Sequence, residues 1–158
     1  MAYEGGMTDT FTGYPRILLP IDFTEHCERT ARHAAWLAQR SSGTLHLAHV
    51  VENPLDPVYK PDEVQHWVVV EHANTKAREM LEEAARRCLP PDAARELHVL
   101  GGDPSEKLVE LADAIPADLI VMSTHGTSSI AHLLLGDVAE KVTRHARCPV
   151  LLVRVPRS

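Results

Sequence analysis

The segment ADLIVMSTHGTSSIAHLLLGDV, residues 117–138, contains the pattern on which the fold assignment depends. Its apolar start, residues 117–123, predicts a strand that is buried on both faces of a sheet. A loop rich in Ser and Thr follows, and Gly136 opens the helix that we predict over residues 137–145. A strand, a glycine-containing loop and a helix start are typical of a phosphate site, because the first helical amides carry the positive end of the helix dipole.

The rest of the chain alternates apolar strand patterns with amphipathic helix patterns. Such alternation predicts an α/β domain with a parallel sheet and helices on both faces. In an open sheet of this type, a ligand binds beyond the carboxyl ends of the strands, where the strand order reverses. The other predicted strands are residues 16–21, 44–51, 96–100 and 148–155, and the other predicted helices follow a cap at Thr24 and occupy residues 62–88 and 105–114.

Length and composition are typical of a single globular protein. The 158 residues are 44% hydrophobic and 24% charged, and the formal net charge is −6. Because no basic stripe or long apolar run is present, we expect neither a nucleic-acid nor a membrane partner. We interpret residues 1–14 as a flexible tail, not a signal or transit peptide, and residues 15–158 as one domain.

Cysteine and histidine usage indicates no metal site and a reducing compartment. The three cysteines have neither metal-ligand nor redox spacing, which is typical of free thiols in the cytoplasm. The ten histidines also lack a standard ligand spacing. His46 and His49 in particular lie on opposite faces of one predicted strand, so their side chains are not expected to converge. The sequence therefore assigns no metal.

The chain resembles the universal stress proteins, an adenine-nucleotide-binding α/β family, over about residues 15–155. The stretches that carry the resemblance are ILLPIDFTE, GDPSEKLVELA, ADLIVMSTHG and HLLLGDVAEKVTRHARCPVLLVR. The family signature G-x2-G-x9-G-[ST] is matched at Gly126 and Gly136, whereas Ser123 replaces its first glycine and Asp137 its final hydroxyl residue. The resemblance implies a Rossmann-like open five-stranded parallel sheet in the order 3-2-1-4-5, with strands one and four as neighbours.

The resemblance also implies a ligand, namely ATP or another adenine nucleotide, with Mg²⁺ present only together with the nucleotide. Asp22 would lie close to the adenine, and Val50 would meet it through backbone atoms. The alternatives are a turn or cap residue for Asp22 and ordinary strand core for Val50. The other residues expected to bind the nucleotide are Ser123, His125, Gly126, Ser128, Ser129, Gly136 and Asp137.

Asp137 decides between two interpretations of this site. Family members have a hydroxyl donor there, whereas an ionised Asp only accepts hydrogen bonds. A carboxylate about 4 Å from a phosphate charge disfavours binding by on the order of 4 kcal/mol at an effective dielectric of 20, a cost that a divalent cation offsets. Alternatively, Asp137 caps its own helix, and Glu140 completes a capping box three residues later.

Three classes of function follow from these patterns. The first is a cytoplasmic stress-response module that binds an adenine nucleotide. The second is a stress-related interaction protein that has lost nucleotide binding because of Asp137. An enzyme that hydrolyses ATP has the least support, since no nucleophile–base pair is identifiable, and we expect no enzyme beyond slow ATP hydrolysis. The apolar strand at residues 148–155 lies at an edge of the implied sheet, where relatives pair with a second copy, so we expect a homodimer.

Overall fold

The computed structural model describes residues 12–52, 63–124 and 135–154, without the side chains of residues 63–70. Strands and helices alternate along it as the sequence predicts. The strands are β1 (Arg16–Pro20), β2 (Thr44–Val51), β3 (Arg95–Gly101), β4 (Leu119–Ser123) and β5 (Val150–Val153). The helices are α1 (Cys27–Ser41), α2 (Glu63–Cys88), α3 (Pro104–Ala114) and α4 (Asp137–His145).

All five strands form one parallel sheet in the order β3-β2-β1-β4-β5. The chain moves outward from β1 to β3, then crosses back and places β4 on the other side of β1. In this register Leu18 of β1 lies opposite His46 of β2 and Ile120 of β4. The fold class and strand order expected from the sequence are therefore confirmed.

The sheet is buried on both faces, because alternate side chains of each strand pack against different helices. Helices α1 and α2 cover one face, and α3 and α4 cover the other. The buried strand residues include Leu19, Leu47 and Val121 on the first face and Leu18, Ala48 and Ile120 on the second. This two-sided burial explains why β1 and β4 read as continuous apolar runs in the sequence.

Helix α1 ends at Ser41, and the residues around this end tie the helix to the start of β1. Ser42 takes a left-handed conformation with a φ of 48° and closes the helix through bonds to carbonyls of its last turn. A Cβ on Gly43 would lie 2.4 Å from the carbonyl oxygen of Tyr14, so only glycine fits this approach. Ser41 Oγ accepts a hydrogen bond from the Tyr14 amide at 2.9 Å.

Two elements bear on possible partners of the fold. Helix α2 is 26 residues long, but none of the described helices is both long and apolar enough to cross a bilayer. Strand β5 lies at an edge of the sheet and is shorter than the predicted strand, since it begins at Val150 after Pro149.

Most of the predicted tail and the proline-rich segment at residues 53–62 lie outside the described residues.

Candidate functional site

A cavity of about 430 Å³ opens at the carboxyl ends of β1, β2 and β4. It lies at the point where the strand order reverses, and its size is within the range of small-molecule sites. Helices α1, α3 and α4 complete its wall. Of the residues expected to bind a nucleotide, the structure brings together Asp22, Val50, Ser123, Gly136 and Asp137 around this cavity. The remaining expected residues, His125, Gly126, Ser128 and Ser129, lie outside the described residues.

Asp22 organises the turn between β1 and α1. Its Oδ1 accepts hydrogen bonds from the Thr24 amide at 3.1 Å, the Thr24 hydroxyl at 2.7 Å and the Cys27 thiol at 3.0 Å. These bonds hold Phe23 in the left-handed region, with a φ of 59°, which is unusual for a bulky residue. The predicted helix cap at Thr24 is wrong, because the helix begins at Cys27 after an N-cap at His26. Thr24 serves the Asp22 turn instead.

The Cys27 thiol contacts both the cavity and the Asp22 carboxylate. Burial, and then the hydrogen bond to Asp22, raise the pKa of the Cys27 thiol to about 11. At neutral pH the thiol therefore keeps its proton and donates it to Asp22 Oδ1. Each hydrogen bond recorded for this carboxylate within the described part of the chain ends on Oδ1, which leaves Oδ2 as an acceptor at the cavity wall.

Val50 presents backbone groups to the cavity. The Ile21 amide donates to the Ala48 carbonyl at 2.8 Å, whereas the Val51 carbonyl accepts from Gly102 beyond β3 at 3.1 Å. Since alternate residues of a parallel strand bond to opposite neighbours, the amide and carbonyl of Val50 point toward β1. Strand β1 has already ended at Pro20. A donor and an acceptor of β2 therefore face the crevice side by side.

His49 is a cavity residue that the sequence considered only as a metal ligand. Its Nδ1 lies 2.7 Å from the carbonyl oxygen of Ile21, so Nδ1 carries the hydrogen and donates it. The ring also packs on Phe23, with 4.3 Å between the ring centroids. In the neutral ring Nε2 remains an acceptor. The sequence gave no indication of this contact, because His49 lies within the predicted strand at residues 44–51 and its partner, the Ile21 carbonyl, belongs to the Asp22 turn.

The two ends of the loop between β4 and α4 are joined directly. The Gly136 amide donates to the Thr124 carbonyl at 2.7 Å, and the Thr124 amide donates to the Val153 carbonyl at 3.2 Å. Both bonds attach the start of α4 to the sheet edge formed by β4 and β5. The start of α4 is therefore held next to the end of β4, beside the cavity that Ser123 and Gly136 line.

The prediction that Asp137 caps its own helix is wrong. The N-cap of α4 is Gly136, and Asp137 is the first helical residue. Its carboxylate lies 3.0 Å from the ammonium nitrogen of Lys141, four residues later, and its side chain is 69% exposed. Glu140, the expected capping-box partner, pairs with Arg144 at 2.8 Å. The acid of Asp137 therefore points along the helix surface and does not occupy the helical amides.

Acidic residues surround the outer mouth of the cavity. A second hollow of about 370 Å³ adjoins it and is lined by Glu52, Asp103 and Asp137, among others. Hydrogen bonding to Asp137 raises the pKa of Lys141, and the charges of Asp103 and Glu106 raise it further. Among the described residues of the mouth, Lys141 thus serves several carboxylates, which gives this part of the mouth a negative character.

This fold and cavity define the class of the protein: a Rossmann-like α/β domain with a ligand crevice at its topological switch point. The chain matches the universal stress protein family over residues 13–154. It is 31% identical to universal stress protein MJ0531 of Methanocaldococcus jannaschii over 146 residues, which covers 92% of this chain and 85% of that protein.

Two solved structures are similar over nearly their whole length. Hypothetical protein MJ0577 has a TM-score of 0.78 at 26% identity, covering 92% of this chain and 99% of its own. A universal stress protein crystallised in complex with cAMP has a TM-score of 0.57 at 27% identity, covering 90% of this chain and 98% of its own. The chain belongs to the universal stress protein family, as the resemblance in its sequence implies.

The Asp22–Cys27 contact gives a test of the crevice geometry. We expect Asp22→Asn to lower the pKa of the Cys27 thiol, because the charge that opposes thiolate formation is removed. The measurement is the pH profile of iodoacetamide alkylation, followed at each cysteine by peptide mass spectrometry. The profile of Cys148, which serves as the internal reference, should not move. An unshifted midpoint at Cys27 would show that the thiol does not contact this carboxylate.

Proposed function

We propose that the protein is a cytoplasmic stress-response module that binds an adenine nucleotide in the crevice and acts as a homodimer. The observation that carries this proposal is the start of α4, which opens into the cavity and whose N-cap residue, Gly136, has no side chain with which to cap it. The relative that was solved with cAMP supports the ligand class. Each part of the crevice offers groups that suit one part of such a ligand.

The start of α4 offers a phosphate subsite. Its first helical hydrogen bond runs from the Glu140 amide to the Gly136 carbonyl at 2.9 Å. The amides of Asp137, Val138 and Ala139 precede that bond and have no acceptor within the helix. All three residues line the cavity. A phosphate there would accept from these amides and be stabilised by the helix dipole.

The end of β2 offers an adenine subsite. The Watson–Crick edge of adenine has one donor, the amino group at C6, next to one acceptor, N1. The carbonyl and amide of Val50 are complementary to that pair. Asp22 Oδ2, free of the hydrogen bonds that Oδ1 accepts, is a second acceptor for the amino group. The apolar side chains of Ile21, Ala48 and Met122 at the cavity wall suit a flat purine ring.

The charge of the mouth favours nucleotide bound together with Mg²⁺. Phosphates at the α4 amides would lie beside Asp137, and Glu52 and Asp103 line the adjoining hollow. Magnesium is commonly held by one or two carboxylates and phosphate oxygens, so it would link the phosphates to Glu52 and Asp103, while Asp137 stays paired with Lys141. We propose binding without a dedicated hydrolytic step, because Asp137 is paired with Lys141 and is not poised as a general base.

A second candidate function is an interaction protein that no longer binds nucleotide. The observation in its favour is the carboxylate of Asp137 at the position where the family signature has a hydroxyl donor. The geometry of α4 weighs against it, since the Asp137 carboxylate does not cap the helical amides and Lys141 partly compensates its charge. A comparison of Asp137 variants distinguishes the two candidates.

The edge strand β5 supports the homodimer. The carbonyls of Pro149 and Val153 accept hydrogen bonds from β4 and from the residue that follows it, so the amides and carbonyls of Val150 and Leu152 point away from the sheet. Leu151 is 38% exposed. An edge with outward backbone groups and an exposed leucine is suited to pairing with its own copy about a two-fold axis, which would join the two sheets.

In calorimetric titrations with ATP and Mg²⁺, we expect the wild-type protein to bind and Asp137→Ser to bind about fivefold more tightly. The reason is that one exposed carboxylate about 4 Å from a phosphate charge is worth about 1 kcal/mol in water. Glu140→Gln is the matched control, because it removes the same charge from the same helix, where Glu140 pairs with Arg144. Its affinity should equal that of the wild type.

The outcomes of this titration separate the candidates. Binding by Asp137→Ser alone would establish the second candidate, an interaction protein whose acid excludes the nucleotide. Failure of both proteins to bind would reject ATP as the ligand. Equal affinities of the wild type and the Ser variant would show that phosphate does not approach Asp137.

Replacing ATP with ITP tests the adenine subsite. Hypoxanthine carries an oxygen at C6 and a hydrogen on N1, so it reverses the donor and acceptor that Val50 is positioned to meet. We expect ITP with Mg²⁺ to bind at least about tenfold more weakly, since buried polar groups would be left unpaired. Competition between the two nucleotides for one site provides the measurement. Equal affinity would contradict the proposed roles of Val50 and Asp22.

Substitution at the β5 edge tests the homodimer. Leu151→Lys places a charge on the exposed side of the edge strand, and we expect it to convert dimers of the 17.5 kDa chain into monomers in sedimentation experiments. Met80→Lys is the matched control, because Met80 on α2 is similarly exposed, at 41%, but far from the edge in the sheet order. A dimer that survives Leu151→Lys would place the interface elsewhere.

A further inference from the structure

Three potential ligand atoms converge on β2 and β3, away from the crevice. His46 Nδ1 lies 3.1 Å from His98 Nε2 and 3.6 Å from Glu96 Oε2. All three ligand atoms lie within 4.8 Å of one another. A tetrahedral zinc ion with bonds of about 2.0–2.1 Å holds its nitrogen and oxygen ligands about 3.3 Å apart. The two separations from His46 Nδ1 are therefore close to those that a single metal ion requires, and a movement of the exposed Glu96 carboxylate would complete the set.

The register of the sheet produces this convergence. His46 lies opposite Glu96 in the parallel pairing of β2 and β3, and His98 follows Glu96 by two residues. Side chains two apart on a strand share a face, so all three project on the face that α3 and α4 cover. The burial is graded, because the His46 side chain is 8% exposed and the Glu96 side chain 62% exposed. The site thus has a rigid inner ligand and an adjustable outer one.

We propose that His46, Glu96 and His98 bind a divalent transition-metal ion, with Zn²⁺ as the favoured ion. Two imidazoles and one carboxylate form a ligand set that suits zinc and its neighbours, and not magnesium or calcium. Three protein ligands leave a fourth position for water. Sites carried by strands hold their ligands more firmly than sites on loops.

The contact between the two rings has to be distinguished from an ordinary hydrogen bond. Burial, and then the neighbouring His46 ring, lower the pKa of His98. A hydrogen bond between the two rings accounts for their 3.1 Å separation without a metal. The Glu96 carboxylate, close to the same nitrogen of His46, is the feature that a ring–ring hydrogen bond leaves unexplained.

This site is independent of the nucleotide crevice. His46 precedes Val50 by four residues on β2, a distance of about 13 Å along the strand. It lies toward the amino end of the strand, whereas the crevice lies beyond the carboxyl end. Because the ligands come from adjacent strands, a bound ion would clamp β3, an edge strand, to the centre of the sheet. Binding of the ion would therefore raise the thermal stability of the protein.

The test is a titration of the tag-free, chelator-treated protein with Zn²⁺, followed by calorimetry and thermal unfolding. We expect one ion per chain, and a rise in Tm of about 5–10 °C at a free Zn²⁺ concentration 100-fold above Kd. Co²⁺ substituted at the site should give the visible bands of a tetrahedral ion with nitrogen and oxygen ligands. Bands of thiolate coordination would instead assign the ion to a cysteine and overturn the proposal.

The variants separate this site from metal bound weakly at other histidines. His98→Gln should weaken Zn²⁺ binding more than about hundredfold and Glu96→Gln about tenfold, while both keep the wild-type circular dichroism. Both positions are only partly buried or exposed, so folding does not depend on them as it does on His46. The exposed His33 on α1 provides the matched control, and His33→Gln should bind as the wild type does. Unchanged binding by His98→Gln would overturn the proposal.

Discussion

The parallel pairing of β1 with β4 is the constraint on which the rest of the structure depends. Strand β1 also pairs with β2, so the chain leaves β1 in one direction and returns to its other side. Right-handed crossovers then place α1 and α2 on one face and α3 and α4 on the other. The helices that follow β1 and β4, α1 and α4, therefore lie on opposite faces, and the cavity opens between their starts. Without this pairing, Asp22 and Gly136 would not share a site.

The unequal lengths of the central strands give the crevice its chemistry. Strand β2 continues beyond the end of β1, which stops at Pro20, and so the backbone of Val50 has no strand on that side. The Asp22 turn fills the space above β1 and is fixed by Thr24 and Cys27. Polar backbone groups in a largely apolar wall need a partner, and a ligand with a paired donor and acceptor supplies one. The site is thus a consequence of where strands end.

Much of this structure was predictable, because strand and helix patterns are local. The α4 bounds were predicted correctly from residues 137–145, yet the capping role of Asp137 was wrong, since the same sequence offers its carboxylate both the backbone amide of Glu140 at i+3 and the ammonium group of Lys141 at i+4. Which partner the carboxylate takes depends on whether the helix starts before or after it. Gly136 takes the extended N-cap conformation, with a ψ of 153°, and leaves Asp137 in the first turn. The cap geometry decided the pairing.

The histidine cluster could not be predicted, for a different physical reason. His46 and His98 are 52 residues apart, and no ligand spacing relates them. Their convergence depends on the register of β2 against β3, in which a shift by one residue would turn His98 to the other face. The sequence correctly separated His46 from His49, since period-two geometry within one strand is local. A partner of His46 on another strand can be identified only when the register of β2 against β3 is known.

The charge at the crevice mouth bears on which adenine nucleotides suit this chain. Asp137 and Lys141 form one ion pair, but Asp103 and Glu106 act on the same lysine. Each further phosphate therefore adds repulsion that this lysine has little capacity to offset, about 1 kcal/mol per charge at 4 Å in water. A hydroxyl at position 137 would donate to phosphate without this cost. With Asp137 in place of the hydroxyl residue of the family signature, the phosphates contribute less to the binding energy. The adenine end contributes relatively more, because Val50 and Asp22 contact the base of every adenine nucleotide.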